Sequence, residues 1–207
     1  REAMGHVAYH SPQLYRGIYL SSGLSFGMQS AGYDFQSLAA RHPNDAILMM
    51  PYKGVGFSLG AGLIIHSSSW FVGLSTPHML EQDRGSLDPL SRKKRHLYTT
   101  LGYIYPLNKM VDLRAVSLVK WTANAPAILE VNLECWLFEI LSVGAMMRWR
   151  EGVGIQASYQ FKEGWRFHYA IDFPTNGLMT RSFGSHEVGL AWDFGRRSMA
   201  FQSPRYF

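Results

Sequence analysis

From Gly152 to Phe173 apolar and polar residues alternate almost without error, and the rhythm survives a turn. Val153, Ile155, Ala157, Tyr159 and Phe161 stand against Gly154, Gln156, Ser158 and Gln160. After Lys162-Glu163-Gly164 come Trp165, Phe167, Tyr169, Ile171 and Phe173 against Arg166, His168, Ala170 and Asp172. A period of two residues puts the first set on one face of a sheet and the second on the other. The first face carries aromatic and branched side chains with no charge at all. In water such a face needs a second layer to cover it, and nothing in the chain reads as that layer. Lipid is the remaining cover, so the pattern predicts an all-β fold: an antiparallel transmembrane β-barrel of the outer-membrane type.

Composition agrees. Charged residues make up 17% and aromatics 14% of the 207 residues, against the roughly 25% charge usual for soluble domains. Mean hydropathy is only −0.09, because alternating strands average out what a membrane helix concentrates. The longest stretch without Asp, Glu, Lys or Arg, Gly54 to Leu80, is long enough for a helical span. It is nevertheless read as strands. Gly54, Gly56, Gly60 and Gly62 fall between Val55, Phe57, Leu59, Ala61, Leu63 and Ile65, and Ser67-Ser68-Ser69 and Pro77 interrupt the run.

No linker or low-complexity tract divides the chain, so residues 1–195 are expected to form one barrel and 196–207 a tail. Strands are expected near 3–11, 16–30, 54–67, 69–79, 96–106, 110–121, 127–137, 139–150, 152–162, 164–174 and 185–195. The alternation slips near Ala115 and Val116, which predicts a bulge there. Connections sort into two alternating classes: Ser11–Tyr15, Ser67–Ser69, Pro106–Lys109, Leu137–Glu139 and Lys162–Gly164 are short. Three of the intervening ones, Ala31–Lys53, Leu80–Arg95 and Thr175–Gly184, are long, with shorter ones at Thr122–Pro126 and Arg150–Glu151. Outer-membrane barrels have short periplasmic turns and longer outside loops, so the C-terminus is expected in the periplasm. Eleven strands cannot close an antiparallel barrel, and an open edge is costly in lipid. With no start resembling a signal peptide, the expectation is that a signal peptide and about three strands precede Arg1.

Three segments together resemble a known family: Trp70 to Leu80 (WFVGLSTPHML), Leu101 to Leu107 (LGYIYPL) and Gly184 to Phe194 (GSHEVGLAWDF). Their order and spacing are similar to the PorP/SprF family of type IX secretion system membrane proteins, and the tail from Gly195 to Phe207 resembles the PorP side of that family. The resemblance implies an outer-membrane barrel of fourteen strands behind a signal peptide. It implies work with a periplasmic ring lipoprotein and its partner protein, and with an outer-membrane-associated peptidoglycan-binding protein. It also implies secretion or surface attachment of cargo bearing a type IX C-terminal signal. It implies no catalytic residues and no cofactor.

Features that tempt a chemical reading have plainer explanations. Gly23-Leu24-Ser25-Phe26-Gly27 and Gly56-Phe57-Ser58-Leu59-Gly60 match the hydrolase serine motif, but that motif needs a sharp strand-to-helix turn. Here each lies in mid-strand, on a small-residue face. The eight histidines include His66 and His78, flanking a hairpin, and His168 and His186, expected on adjacent strands. Without a Cys cluster or a helical His pair these read as polar lumen or rim residues, and no metal is expected. Cys135 shares the parity of Leu129, Val131 and Leu133 and is expected to face lipid as inert packing.

The opposite parity collects Glu130, Asn132, Glu134, Arg148, Arg150, Arg166 and Asp172. A charge on the lipid side costs about 2–4 kcal/mol at the midplane, so these are expected to line the lumen. Mixed signs at similar depth predict a wall cross-linked by ion pairs. The run Arg92-Lys93-Lys94-Arg95 in an outside loop could touch lipopolysaccharide phosphates or stay solvated. The net charge of +5 does not point to nucleic acid, which an outer-membrane topology does not meet. In the tail, Arg196, Arg197, Phe201, Arg205, Tyr206 and Phe207 are of the types enriched at binding hot spots and are expected to dock a periplasmic partner. The residues alone reach an outer-membrane barrel; the resemblance adds a non-enzymatic secretion role. The alternatives are a transporter of small or hydrophobic molecules, which a wide lumen with a lateral opening would favour, and a lipid-modifying enzyme, which turnover of phospholipid would favour.

Overall fold

The structure, a computed structural model, describes residues 2–33, 52–80, 94–161, 164–177 and 184–192. They form eleven strands: β1 (Glu2–His10), β2 (Tyr19–Tyr33), β3 (Tyr52–His66), β4 (Trp70–Thr76), β5 (His96–Asn108), β6 (Val111–Thr122), β7 (Ile128–Leu137), β8 (Leu141–Arg148), β9 (Gly152–Gln160), β10 (Trp165–Pro174) and β11 (Ser185–Trp192). Each pairs antiparallel with its sequence neighbours in a single sheet of order β1 to β11. Among the described residues no pairing joins β1 to β11. An odd number of alternating strands leaves those two edges running in the same direction. Asp193 and the tail residues Arg196, Arg197, Phe201, Arg205, Tyr206 and Phe207 lie outside the described residues.

The register keeps the two faces separate across the sheet. Phe167 stands opposite Tyr159 and Leu190, while His168 stands opposite Ser158 and Gly189. Leu59 stands opposite Phe26 and Ser58 opposite Gly27. One face is thus apolar and unusually open: Val55, Phe57, Leu133, Ile155, Val188 and Leu190 are all exposed, and among the described residues no apolar side chain is buried. A sheet with no core of its own but a continuous apolar face has its stabilising burial in lipid. Aromatics gather at both ends of this face. At the short-turn end Trp165 stacks on Trp192 with centroids 5.1 Å apart and Tyr159 meets Phe161 edge-on at 4.7 Å. Trp121, Trp149 and Phe173 are exposed at the other end. Two aromatic girdles are the mark of a membrane-spanning sheet.

Two strand ends and the place of a bulge differ from expectation, each for a local reason. β4 stops at Thr76 because Pro77 has no N–H to give to the ladder. The register that pairs Ala61 with Thr76 would bring Leu59 opposite His78, yet Met79 N–H donates to the Leu59 carbonyl instead, at 2.7 Å. One residue is looped out, and His78 turns to the polar face. β2 starts at Tyr19, later than expected, because Arg16 and Gly17 take left-handed backbone (φ 40° and 82°) in the preceding turn. The bulge expected near Ala115 is not there. β6 pairs with β7 without a break, Ala115 opposite Leu133 and Val116 opposite Asn132. The irregularity lies instead on β5, between Pro106 and Asn108. What resembled a slip is Val116 and Leu118 on the polar face.

Candidate functional site: the polar face and the short-turn end

The polar face has two unlike halves. On β2, β3 and β4 it is paved with small residues: Gly23, Ser25 and Gly27 stand opposite Gly62, Gly60 and Ser58, so the two serine motifs are antiparallel partners. Neither serine is at a strand-to-helix turn. Ser58 Oγ lies 2.8 Å from His78 Nδ1, a pair that sequence parity could not show because the Pro77 bulge sets the facing of His78. Ser58→Ala should leave secretion within about two-fold of wild type, since it removes one modest hydrogen bond; cargo in the medium, measured at equal membrane protein level, checks this.

On β6 to β10 the same face is charged and cross-linked. Glu134 accepts from Trp136 Nε1 and from Ser142 Oγ, each at 2.7 Å. Ser142, which is fully buried, also lies 2.6 Å from Ser158 Oγ. The Arg114 guanidinium lies 4.2 Å above the Trp136 ring, a cation–π contact. Arg148 Nε donates to Glu130 at 2.9 Å and sits 3.7 Å from Glu151. Gln156 Nε2 donates to Asn132 at 3.4 Å and Arg166 Nε to Gln160 at 3.0 Å. The Asp172 carboxylate lies over Gly154, where a Cβ would collide with it.

Glu130, Glu134, Arg148, Arg166 and Asp172 therefore share one face, and Arg148 with Glu130 forms a direct pair. Arg150 lies in the turn beyond β8. β8 ends at Arg148, the chain turns through Arg150 at φ 64°, and Glu151 N–H closes the turn on the Arg148 carbonyl at 3.0 Å. The two-residue period assigns a face only while the backbone is extended, so it assigns none to Arg150. The histidines are dispersed. His168 is on the polar face opposite Gly189, whereas His186 is opposite Ile171 on the apolar face. There its Nδ1 lies 2.8 Å from Tyr169 Oη, so the two polar groups pair with each other. His66 stacks on Tyr19 at the short-turn end, far along the hairpin from His78. Cys135 faces outward between Leu113 and Val143. Of the basic run, Arg95 Nε donates to the Met79 carbonyl at 3.1 Å, while Arg92 and Lys93 lie outside the described residues.

An uncovered apolar face, paired aromatic girdles and a cross-linked polar face define a membrane protein that crosses the bilayer with strands. The model of the family described as type IX secretion system membrane protein PorP/SprF matches residues 1–192, so the chain belongs to that family. No curated protein matches the chain. It is a membrane component of the type IX secretion system, and its strand-built spans are those of an outer-membrane protein. The family match ends at Trp192, short of the tail.

Proposed function

We propose that this chain is a non-enzymatic outer-membrane component that anchors or couples the periplasmic parts of the type IX machinery and helps secrete cargo or attach it to the surface. The polar face lines the barrel lumen, the short turns lie in the periplasm, and the C-terminus leaves β11 on that side. The partners in this reading are the ring lipoprotein and its partner protein, the peptidoglycan-binding protein, and cargo with a type IX C-terminal signal. The observation that carries it is the cross-linked wall of β6 to β10. A lumen whose Arg, Glu and Trp side chains bond to one another is built to hold shape. A solute pathway would keep such groups available to a solute.

The 196–207 tail adds a second contact in this reading. Residues Arg196, Arg197, Phe201, Arg205, Tyr206 and Phe207 supply the arginines and aromatics that dominate binding hot spots. The test is copurification from detergent-solubilised outer membrane, with partners identified by mass, for the full chain and for a chain lacking Ser198–Phe207. The full chain should bring down periplasmic secretion components, and the truncated one should insert normally, lose a partner and block secretion. Full capture by the truncated chain would remove the tail from the account. Absence of any periplasmic secretion component from the full-chain sample would remove the coupling role itself.

A further inference from the structure

Small residues leave a furrow in the apolar face. On β6, Ala115 and Ser117 follow each other outward, Ala115 between Tyr103 and Leu133 and Ser117 between Leu101 and Val131. Each is shorter than both of its cross-strand neighbours, so β6 is sunk between ridges on β5 and β7. A groove of about 360 Å³ lies over it, with Trp70 and Val72 of β4 at its edge. Leu113 and Val119, the next outward residues of β6, bound the small stretch. On β1, Ala3 and Gly5 also follow each other outward. There the Phe26 ring lies over the glycine, 2.9 Å from where a Cβ would stand. The β6 furrow stays open.

Its width decides what can fill it. β5 and β7 stand two strand spacings apart, about 9–10 Å, and carbon atoms in contact lie about 3.5–4.0 Å apart. One methylene chain therefore fits between the ridges and touches both. An α-helix, about 10–12 Å across with its side chains, would ride on top of them. The furrow is continuous with the face whose burial is in lipid, so the chain on hand to fill it is an acyl chain. Its edge reaches Trp70, the first residue of β4 after the Ser67–Ser69 turn, and tryptophan marks the membrane interface. The groove is thereby joined to the leaflet at the short-turn end.

We infer that the furrow between β5 and β7 seats one acyl chain of a phospholipid drawn from that leaflet. Lipid tails are as apolar as the residues they touch, so the seat holds its chain by close packing and not by a hydrophobic gain. The phospholipid source rests on the reading above that the short turns lie in the periplasm, because lipopolysaccharide fills the opposite leaflet.

The test takes the full chain from its outer membrane into a mild detergent and counts bound lipids by native mass spectrometry. Ser117→Leu fills the furrow and keeps the face apolar. Ala145→Leu adds a similar bulk on β8, between Leu133 and Ile155, away from the groove. Wild type and Ala145→Leu should retain one phospholipid per chain, and Ser117→Leu should retain at least about ten-fold less. All three should give the same heat-modifiable folded band; should Ser117→Leu fold poorly, Ala115→Leu fills the same space and is read in its place. Equal retention by wild type and the filled variant, or equal loss from Ala145→Leu, would overturn the inference. Lipopolysaccharide retained by the wild type and lost from the filled variant would overturn the phospholipid assignment, and with it the periplasmic placement of the short turns.

Discussion

Ile155→Arg should stop the protein from assembling in the membrane, while Gln156→Arg, one residue along, should assemble at near wild-type level. Ile155 lies midway along β9 on the apolar face, between Ala145 and Ile171, and is 56% exposed. An arginine there would sit against hydrocarbon at a cost of about 2–4 kcal/mol near the midplane. That is a large share of the total stability of a typical domain. Gln156 looks the other way, with Gly144 and Ala170 as its cross-strand neighbours, so the polar face has both room and polarity for the longer side chain. The measurement is the heat-modifiable folded band in outer-membrane fractions. Equal folded fractions for the two variants would contradict the facing of β9.

Glu134→Ala should destabilise the folded protein by about 3–6 kcal/mol, because hydrogen bonds to a charged group contribute about 1.5–3 kcal/mol each and two are lost. Its carboxylate accepts from Trp136 and Ser142, and Ser142 is sealed from solvent. Removing the acceptor strands the Trp136 N–H and leaves Arg114, directly across on β6, without the carboxylate beside it. Glu134→Gln keeps an acceptor oxygen and should lose less. Urea midpoints of the protein refolded into lipid vesicles check both. An unchanged midpoint for Glu134→Ala would mean that the wall is not held by this network.

The strands were legible because a sheet with lipid on one side imposes the simplest of sequence constraints. Most outward positions are apolar, so Val153 to Phe161 and Trp165 to Phe173 announce their facing residue by residue. The polar face obeys a looser rule. Its side chains pack against one another as well as meeting water, and Val116 and Leu118 fit there as readily as Arg114. That tolerance is what mimicked a bulge. Turn conformation was hidden for the opposite reason. Phe138-Glu139 is a poor sequence for two left-handed residues, so nothing in local preference points to the backbone that the hairpin adopts. The Ser58–His78 contact was hidden because it depends on the residue looped out at Pro77, which shifts parity by one. Among the charges, Glu130, Glu134, Arg148, Arg166 and Asp172 lie within strands, where the two-residue period sets a shared face, whereas Arg150 lies beyond the end of β8, where that period no longer applies.

The most direct test of the account is the side of the membrane on which the short turns lie. In a chain with Cys135→Ala, single cysteines are placed at Phe138, in the β7–β8 turn, and at Trp149, in the β8–β9 turn, and intact cells are treated with a membrane-impermeant thiol reagent. The account predicts that Trp149→Cys is labelled at once and Phe138→Cys only after the outer membrane is permeabilised. Labelling of Phe138→Cys in intact cells would place the short-turn end outside, away from any periplasmic partner, and contradict the proposed coupling.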